Sequence, residues 1–535
     1  MKNQKIKIQE VIISFVVSLL IVFGVTLILG TLTSGWHFID DHEFIYYDYY
    51  KRIEHWSNSK LFKEILLYDL QTRNTFLYYP FRIIVFLLVG ADPLRLAIVK
   101  ALETAIAMTL LYLCGRKISG SAFAGALFSL ISLVGYQSAI WWKSGPPHVQ
   151  ATICFGIAFL CLLTWLDDTS KTIFAILSCI FATAMGYFHE SFLMLIPFLA
   201  FYVIYDSYKK KAGIPGSKKP ILGILGAIKT CDKKRAIFFY ILIIDFVANI
   251  LEIIIRLGFN SYPAVGINSS FSPVTYLKVI VNNFSFDLKW YWKVGVFLVC
   301  ILLTYFDSFK KYWPEMLLSG LIIAMQLVLY SKEGISERYV IPLSIGFSMF
   351  FCIFMLSSDI LSGFRKKLYI VALFVLLAIH AHVLIVEGDY YRFRGESVTN
   401  ALEQIESLSN KGYKVMTCFG NANPEAEFTV DSYCKSKGID EIYYWDQNNS
   451  AVLDIPAFYR SQASGSFKLD EIDVVLAYNR NDRHFEVDPN FDLSDFTLVR
   501  TGSIDIFFRN DAENEVTDEL VDQLHVKPTI YGIGN

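Results

Sequence analysis

The chain has no glycine-rich phosphate loop, no G-x-G-x-x-G and no cysteines at metal-ligand spacing, which removes nucleotide-binding and zinc-type sites from the first reading. Its nine cysteines are scattered, with no C-x-x-C. Most read as apolar filler. Cys418 and Cys434 are the pair that can form a disulfide if the tail lies outside the cell. Charge is also scarce, at 18% of 535 residues, against 54% hydrophobic and a mean hydropathy of +0.42. Apolar runs recur down to about residue 386, so the fold class is a polytopic α-helical membrane protein.

The net charge of -2 hides an asymmetry. Residues 1–386 carry 35 Lys and Arg against 23 acids, whereas residues 387–535 carry 13 against 27. Two domains follow: a basic membrane domain, 1–386, and a C-terminal extracytoplasmic α/β domain, 387–535, ending in an acidic tail. Helical spacing is expected over 397–409, strands at 414–418, 441–445 and 474–478, and a closing hairpin from 496–499 with 504–508.

Basic loops fix the expected orientation, because Lys and Arg are retained on the cytoplasmic side. Lys2, Lys5 and Lys7 put the N-terminus inside, and the uncharged run 11–32 reads as a signal anchor. The segment 209–235, with nine Lys or Arg residues, is the strongest cytoplasmic signal. About eleven spans result: 11–32, 93–114, 119–141, 149–166, 172–188, 192–205, 236–257, 290–306, 314–330, 340–355 and 368–386. The ten-residue apolar run 81–90 is too short to cross and reads as an interfacial or re-entrant helix within a loop region, 34–92. The localisation expected is a bacterial plasma membrane.

Residues 34–95 organise the rest. Asp40, Asp41, His42 and Glu43 leave the first span beside Trp36 and a run of tyrosines. One reading is a hydrated interfacial loop with an aromatic belt. The other is a set of carboxylates at the mouth of a cavity, able to deprotonate a hydroxyl or hold a divalent metal, which the acidic rim permits without requiring. On the same face the topology gathers Arg73, Arg82, Lys143, His148, His189, Glu190 and the late Arg338 and Tyr339. Singly, each such residue reads as a snorkelling cation or a helix cap. Together they suit a phosphate-bearing lipid substrate. Inside spans, Lys100 with Glu103, and Asp245, Asn249, Glu252 and Arg256 on one helical face, are read as lining one polar interior; Glu252 with Arg256 also reads as an i,i+4 pair.

The W-x-x-x-D-D-x-E of 36–43, the Y-Y-P-F-R of 78–82, the D-P-L-R-L of 92–96 opening a span that ends G-R-K, and the E-R-Y-V-I-P of 337–342 resemble the GT-C class of integral membrane glycosyltransferases. The family 39 group, with protein O-mannosyltransferases and aminoarabinose transferases, is the most similar. The resemblance implies an inverting transferase that moves a sugar from a polyprenyl-phosphate donor to a lipid, glycan or protein acceptor, with no cofactor required. It implies catalytic Asp40 and Asp41, the first of the pair as base with Asp41 and Glu43 as competitors for that role, and Arg338 and Tyr339 near the donor phosphate. Glu43, Arg73, Arg82, Lys143, His148, His189, Glu190 and Arg256, read from the topology, complete the binding set. Where the family carries H-P-P or K-P-P, this chain has Tyr79-Pro80-Phe81, with Arg82 as the substitute cation. The partners expected are membrane lipids and the donor, with no nucleic acid. A transporter or flippase of lipid-linked glycans, or an anchor displaying a polymer-binding domain, are the alternatives from other classes.

Overall fold

The computed structural model describes residues 6–38, 40–72, 75–142, 144–212, 226, 228, 231–257, 274, 306–329, 339–356, 361–418, 424–444, 471–478, 493–500 and 504–510. In chain order the helices are α1 (Ile8–Ile28), α2 (His42–Arg52), α3 (Asn58–Thr72), α4 (Tyr78–Val89), α5 (Pro93–Ser119), α6 (Ala122–Leu133), α7 (His148–Asp167) and α8 (Thr172–Phe188). They continue as α9 (Ile196–Ala212), α10 (Lys233–Leu257), α11 (Phe306–Leu329), α12 (Val340–Ser348), α13 (Gly363–Asn410) and α14 (Pro424–Lys437). Six helical stretches are long and apolar enough to cross a membrane: Ile8–Ile28, Pro93–Ser119, His148–Asp167, Glu190–Lys209, Lys233–Ile255 and Gly363–Asn410. The chain is a polytopic helical membrane protein with a C-terminal α/β domain.

Of the eleven expected spans, ten fall on described helices, four of them on shorter apolar stretches, Ala122–Leu133, Thr172–Phe188, Pro314–Leu327 and Val340–Met355. The eighth, 290–306, lies outside the described residues. The 81–90 run is part of α4, twelve residues long. At about 1.5 Å per residue that helix is far shorter than a ~30 Å hydrocarbon layer.

Local signals set the ends of α5. The Asp92 side chain accepts the Arg95 amide at 2.8 Å, Pro93 occupies the first turn, and Gly120 ends the helix at φ +72°. The basic segments then gather at one end of the bundle. Arg116 meets Glu10 at 2.8 Å, Lys117 meets Asp167 at 2.6 Å, Lys209 meets Glu315 at 2.6 Å and Arg235 meets Asp206 at 3.1 Å.

The C-terminal sheet has strands β1 (Val415–Cys418), β2 (Tyr443–Tyr444), β3 (Val474–Tyr478), β4 (Phe496–Arg500) and β5 (Ile504–Arg509), in the order β2-β1-β3-β5-β4. β1 runs parallel to β2 and β3, while β5 pairs antiparallel with β3 and with β4. The strands and the hairpin agree with the sequence reading. The helix expected at 397–409 is the last part of α13, which runs 48 residues without a break, so position 386 falls inside one helix.

Two possibilities that the sequence left open are not realised. Cys434 is a buried free thiol in α14, not half of a disulfide. We expect it to react with a maleimide only after denaturation and without prior reduction, which mass spectrometry of the alkylated peptide reads directly. The aromatic residues after the first span do not form an interfacial belt either. Trp36, Phe44, Tyr46, Tyr47 and Tyr50 are buried, and they share one apolar core with Val398, Leu402 and Ile405 of α13 and with Val474, Leu476 and Phe508 of the sheet. Each large side chain removed from water this way contributes about 1.5–3 kcal/mol. The loop after α1 and the C-terminal sheet therefore hold each other in place.

Candidate functional site

Arg82, one turn into α4, is the hub of the acidic loop. It is 2% exposed, and its Nη1 lies 2.7 Å from Glu43 Oε2 and donates to the Tyr78 hydroxyl at 2.5 Å. Its Nη2 donates to the carbonyl oxygen of Asp40. Tyr47 adds a hydroxyl to Glu43 at 3.0 Å, and Tyr78 donates to the Gly145 carbonyl at 3.2 Å. The cation is thus spent on ordering the loop, with a buried carboxylate as its counter-ion.

Asp40 and Asp41 occupy different surroundings. Asp41 is 2% exposed and accepts two backbone amides, from His37 at 3.0 Å and from Gly145 at 3.2 Å. Asp40 is half-buried and sits at φ +65°, a left-handed conformation that aspartate tolerates better than most side chains. Gly145 packs directly on it: a Cβ at Gly145 would lie 2.1 Å from Asp40 Cβ. Only a residue without a side chain lets the two loops approach this closely.

Burial pushes the Asp41 carboxyl up to about 7, against the lowering effect of its two amide bonds and of Arg82. Burial pushes His42 down to about 3. A carboxyl held above its unfolded value binds more protons in the folded chain, so its contribution to stability falls as pH rises from about 4 to about 7. His42, held below its unfolded value, acts with the opposite slope: stability rises with pH from about 3 to 6.5. Subtracting an Asp41→Asn variant isolates the first effect. We expect the melting-temperature advantage of wild type over Asp41→Asn to shrink between pH 5 and pH 8.

The segment from Gly145 to His148 carries the site across to the membrane helices. His148, 1% exposed at the start of α7, has its ring 4.0 Å from His189 and 5.1 Å from Tyr339, and His189 lies 5.4 Å from Tyr339. His189 also bonds the Ser191 hydroxyl at 2.8 Å. Glu190 opens the short turn Glu190–Leu195 and is half-buried. Three residues that the sequence spreads over almost 200 positions are one ring cluster, and four residues of chain join it to Asp40 and Asp41.

Arg73, Lys143 and Arg338, and the side chain of Arg256 at the end of α10, lie outside the described residues. Lys100 donates to the Pro146 carbonyl at 2.9 Å and pairs with Glu103, which accepts from Gln150 at 2.6 Å, so this buried set supports the Gly145–His148 turn. Asp245 has other neighbours: Thr183 of α8, at 3.0 Å, and Asn249, at 3.1 Å. Among the described residues no three His, Cys, Asp or Glu side chains form a cluster fit for a metal.

Sequence reasoning missed Gly145, Tyr78 and Tyr47 as parts of the site. The Gly-Pro-Pro run at 145–147 was the available signal, since such a run marks a rigid turn where backbone comes close to something.

No protein-family model and no curated protein sequence matches this chain. In structure it is similar to ArnT from Cupriavidus metallidurans in the apo state, at 9% identity and a TM-score of 0.45, over 91% of this chain and 97% of that one. It is also similar to the Archaeoglobus fulgidus oligosaccharyltransferase in the apo form, at 10% identity and a TM-score of 0.42, over 80% of this chain and 64% of that one. A third likeness is to the oligosaccharyltransferase AglB of Archaeoglobus fulgidus in complex with an inhibitory peptide and a dolichol-phosphate, at 10% identity and a TM-score of 0.34, over 75% of this chain and 61% of that one. The chain spans less than two thirds of either oligosaccharyltransferase. At such identities and scores these likenesses carry no chemistry to this chain, whose candidate site stands on its own contacts.

Proposed function

We propose that this chain is an inverting glycosyltransferase that takes a sugar from a polyprenyl-phosphate donor and passes it to an acceptor hydroxyl at the non-cytoplasmic face of the membrane. The observation that supports it best is the pair Asp40 and Asp41 at the non-basic end of a helical bundle, one half-buried on left-handed backbone and the other tied down by two amides. Asp40 is the general base in this reading. It takes the proton of the acceptor hydroxyl as that oxygen attacks the anomeric carbon and the bond to the donor phosphate breaks. Asp41 and Arg82 hold the loop that presents it, so Arg82 acts through position rather than on the phosphate.

The leaving phosphate needs a cation, and Arg338, next to Tyr339 in the sequence, is the residue we assign to it. The contacts of Tyr339 with His148 and His189 support a donor headgroup at that cluster. Residues 1–386 would form the transferase body, and 387–535 a domain that shapes its mouth. The test is direct. Purified protein given a polyprenyl-phosphate-linked radiolabelled hexose and a membrane lipid extract should release polyprenyl phosphate and label an acceptor. Release that never exceeds the protein-free control would reject the enzyme reading and leave the transporter or the anchor.

A further inference from the structure

α13 carries Gly388, Gly395 and Thr399 at spacings of seven and four, which puts them on one helical face. The chain leaving α1 lies along that face. A Cβ at Gly388 would stand 2.5 Å from the Leu29 side chain, and one at Gly395 would stand 2.7 Å from the Ser34 carbonyl and 2.9 Å from His37. Four residues on, the Thr399 hydroxyl oxygen accepts the Trp36 amide at 2.7 Å. Gly35, at φ +87°, lets it in, since a Cβ there would fall 2.0 Å from the same oxygen. The next amide along, that of His37, is the one that holds Asp41.

The far side of the loop is held by the C-terminal domain as well. Thr429 of α14 donates its hydroxyl to the Phe38 carbonyl at 3.2 Å, and Tyr46 of α2 donates to Asp431 at 2.5 Å. Trp36 and Phe38 before the two aspartates and Tyr46 after them are thus tied to α13 and α14. None of these contacts is needed for the sheet to pair or for α13 to cross a membrane.

We propose that Thr399 and Gly395 are positioning residues for the acidic loop: α13 is a ruler that sets the register of residues 29–37, and through the His37 amide the placement of Asp41. The C-terminal domain then governs the site through a continuous helix, without contributing a group to the chemistry. The proposal deepens the transferase reading, but its test reads the loop itself and needs no turnover.

The test is hydrogen–deuterium exchange on the full-length chain in detergent micelles, with wild type, Thr399→Val and Thr399→Ser. Valine keeps the shape and removes the acceptor; serine keeps it. The reporters are the amides of His37 and Gly145, both bonded to Asp41, with Gly145 more than 100 residues from the loop in sequence. Losing one such bond is worth a factor of about three to ten in local opening. We expect Thr399→Val to speed exchange at both amides by that factor, and Thr399→Ser to leave both within about twofold of wild type. Unchanged exchange at Gly145 in Thr399→Val, or an equal rise in Thr399→Ser, overturns the proposal. A chain that lacks transferase activity yet shows the valine-specific rise sinks the enzyme reading and leaves the ruler standing.

Discussion

Asp40→Asn is expected to lower sugar transfer about 10²- to 10⁴-fold, the range that loss of a general base produces. The amide fills the same volume and keeps an acceptor, so the left-handed turn at φ +65° and its contact with Gly145 have no steric reason to change. The loss should fall on kcat, with little change in KM for the donor, because the base acts on the acceptor proton in the transition state. Melting temperature should stay near wild type. Asp41→Asn should behave in the reverse way: it gives up one of two amide bonds, and the damage should appear first in stability. Equal turnover by Asp40→Asn and wild type would remove Asp40 from the chemistry.

Arg82→Ala is expected to destabilise the folded chain by about 3–5 kcal/mol, the cost of leaving a buried carboxylate without its partner. Glu43 would remain buried at 6% exposure, without the guanidinium that lies 2.7 Å from its carboxylate. Arg82→Lys should rescue little. One ammonium cannot reach Glu43, the Tyr78 hydroxyl and the Asp40 carbonyl in the geometry of a guanidinium fork. A double variant, Arg82→Met with Glu43→Gln, should recover part of the loss, since a neutral pair carries no uncompensated charge. Thermal unfolding in one detergent at one pH measures all four proteins. If Arg82→Ala melts with wild type, the ion pair does not hold the loop.

The two predictions separate because the two aspartates do. Adjacent in sequence, they are indistinguishable by composition or spacing. What differs is burial, which only a neighbouring loop can supply: Gly145 gives Asp41 an amide and presses its Cα against the side chain of Asp40.

Apolar run length alone determined that this is a many-helix membrane protein, because a span must satisfy its backbone within itself and announces its length in the sequence. The strands of the tail were equally legible, being short, β-branched and bounded by turns. α14 was passed over although Pro424 at its start and Lys435 and Lys437 in its last turn are helix signals. Tertiary structure alone decided that the tyrosines after the first span are core rather than belt, since an aromatic run has the same composition in both settings. It also decided that Arg82 serves the loop and that His148, His189 and Tyr339 are neighbours. These facts depend on which distant segments fold against one another, and the periodicity of a single helix carries information only about its own faces.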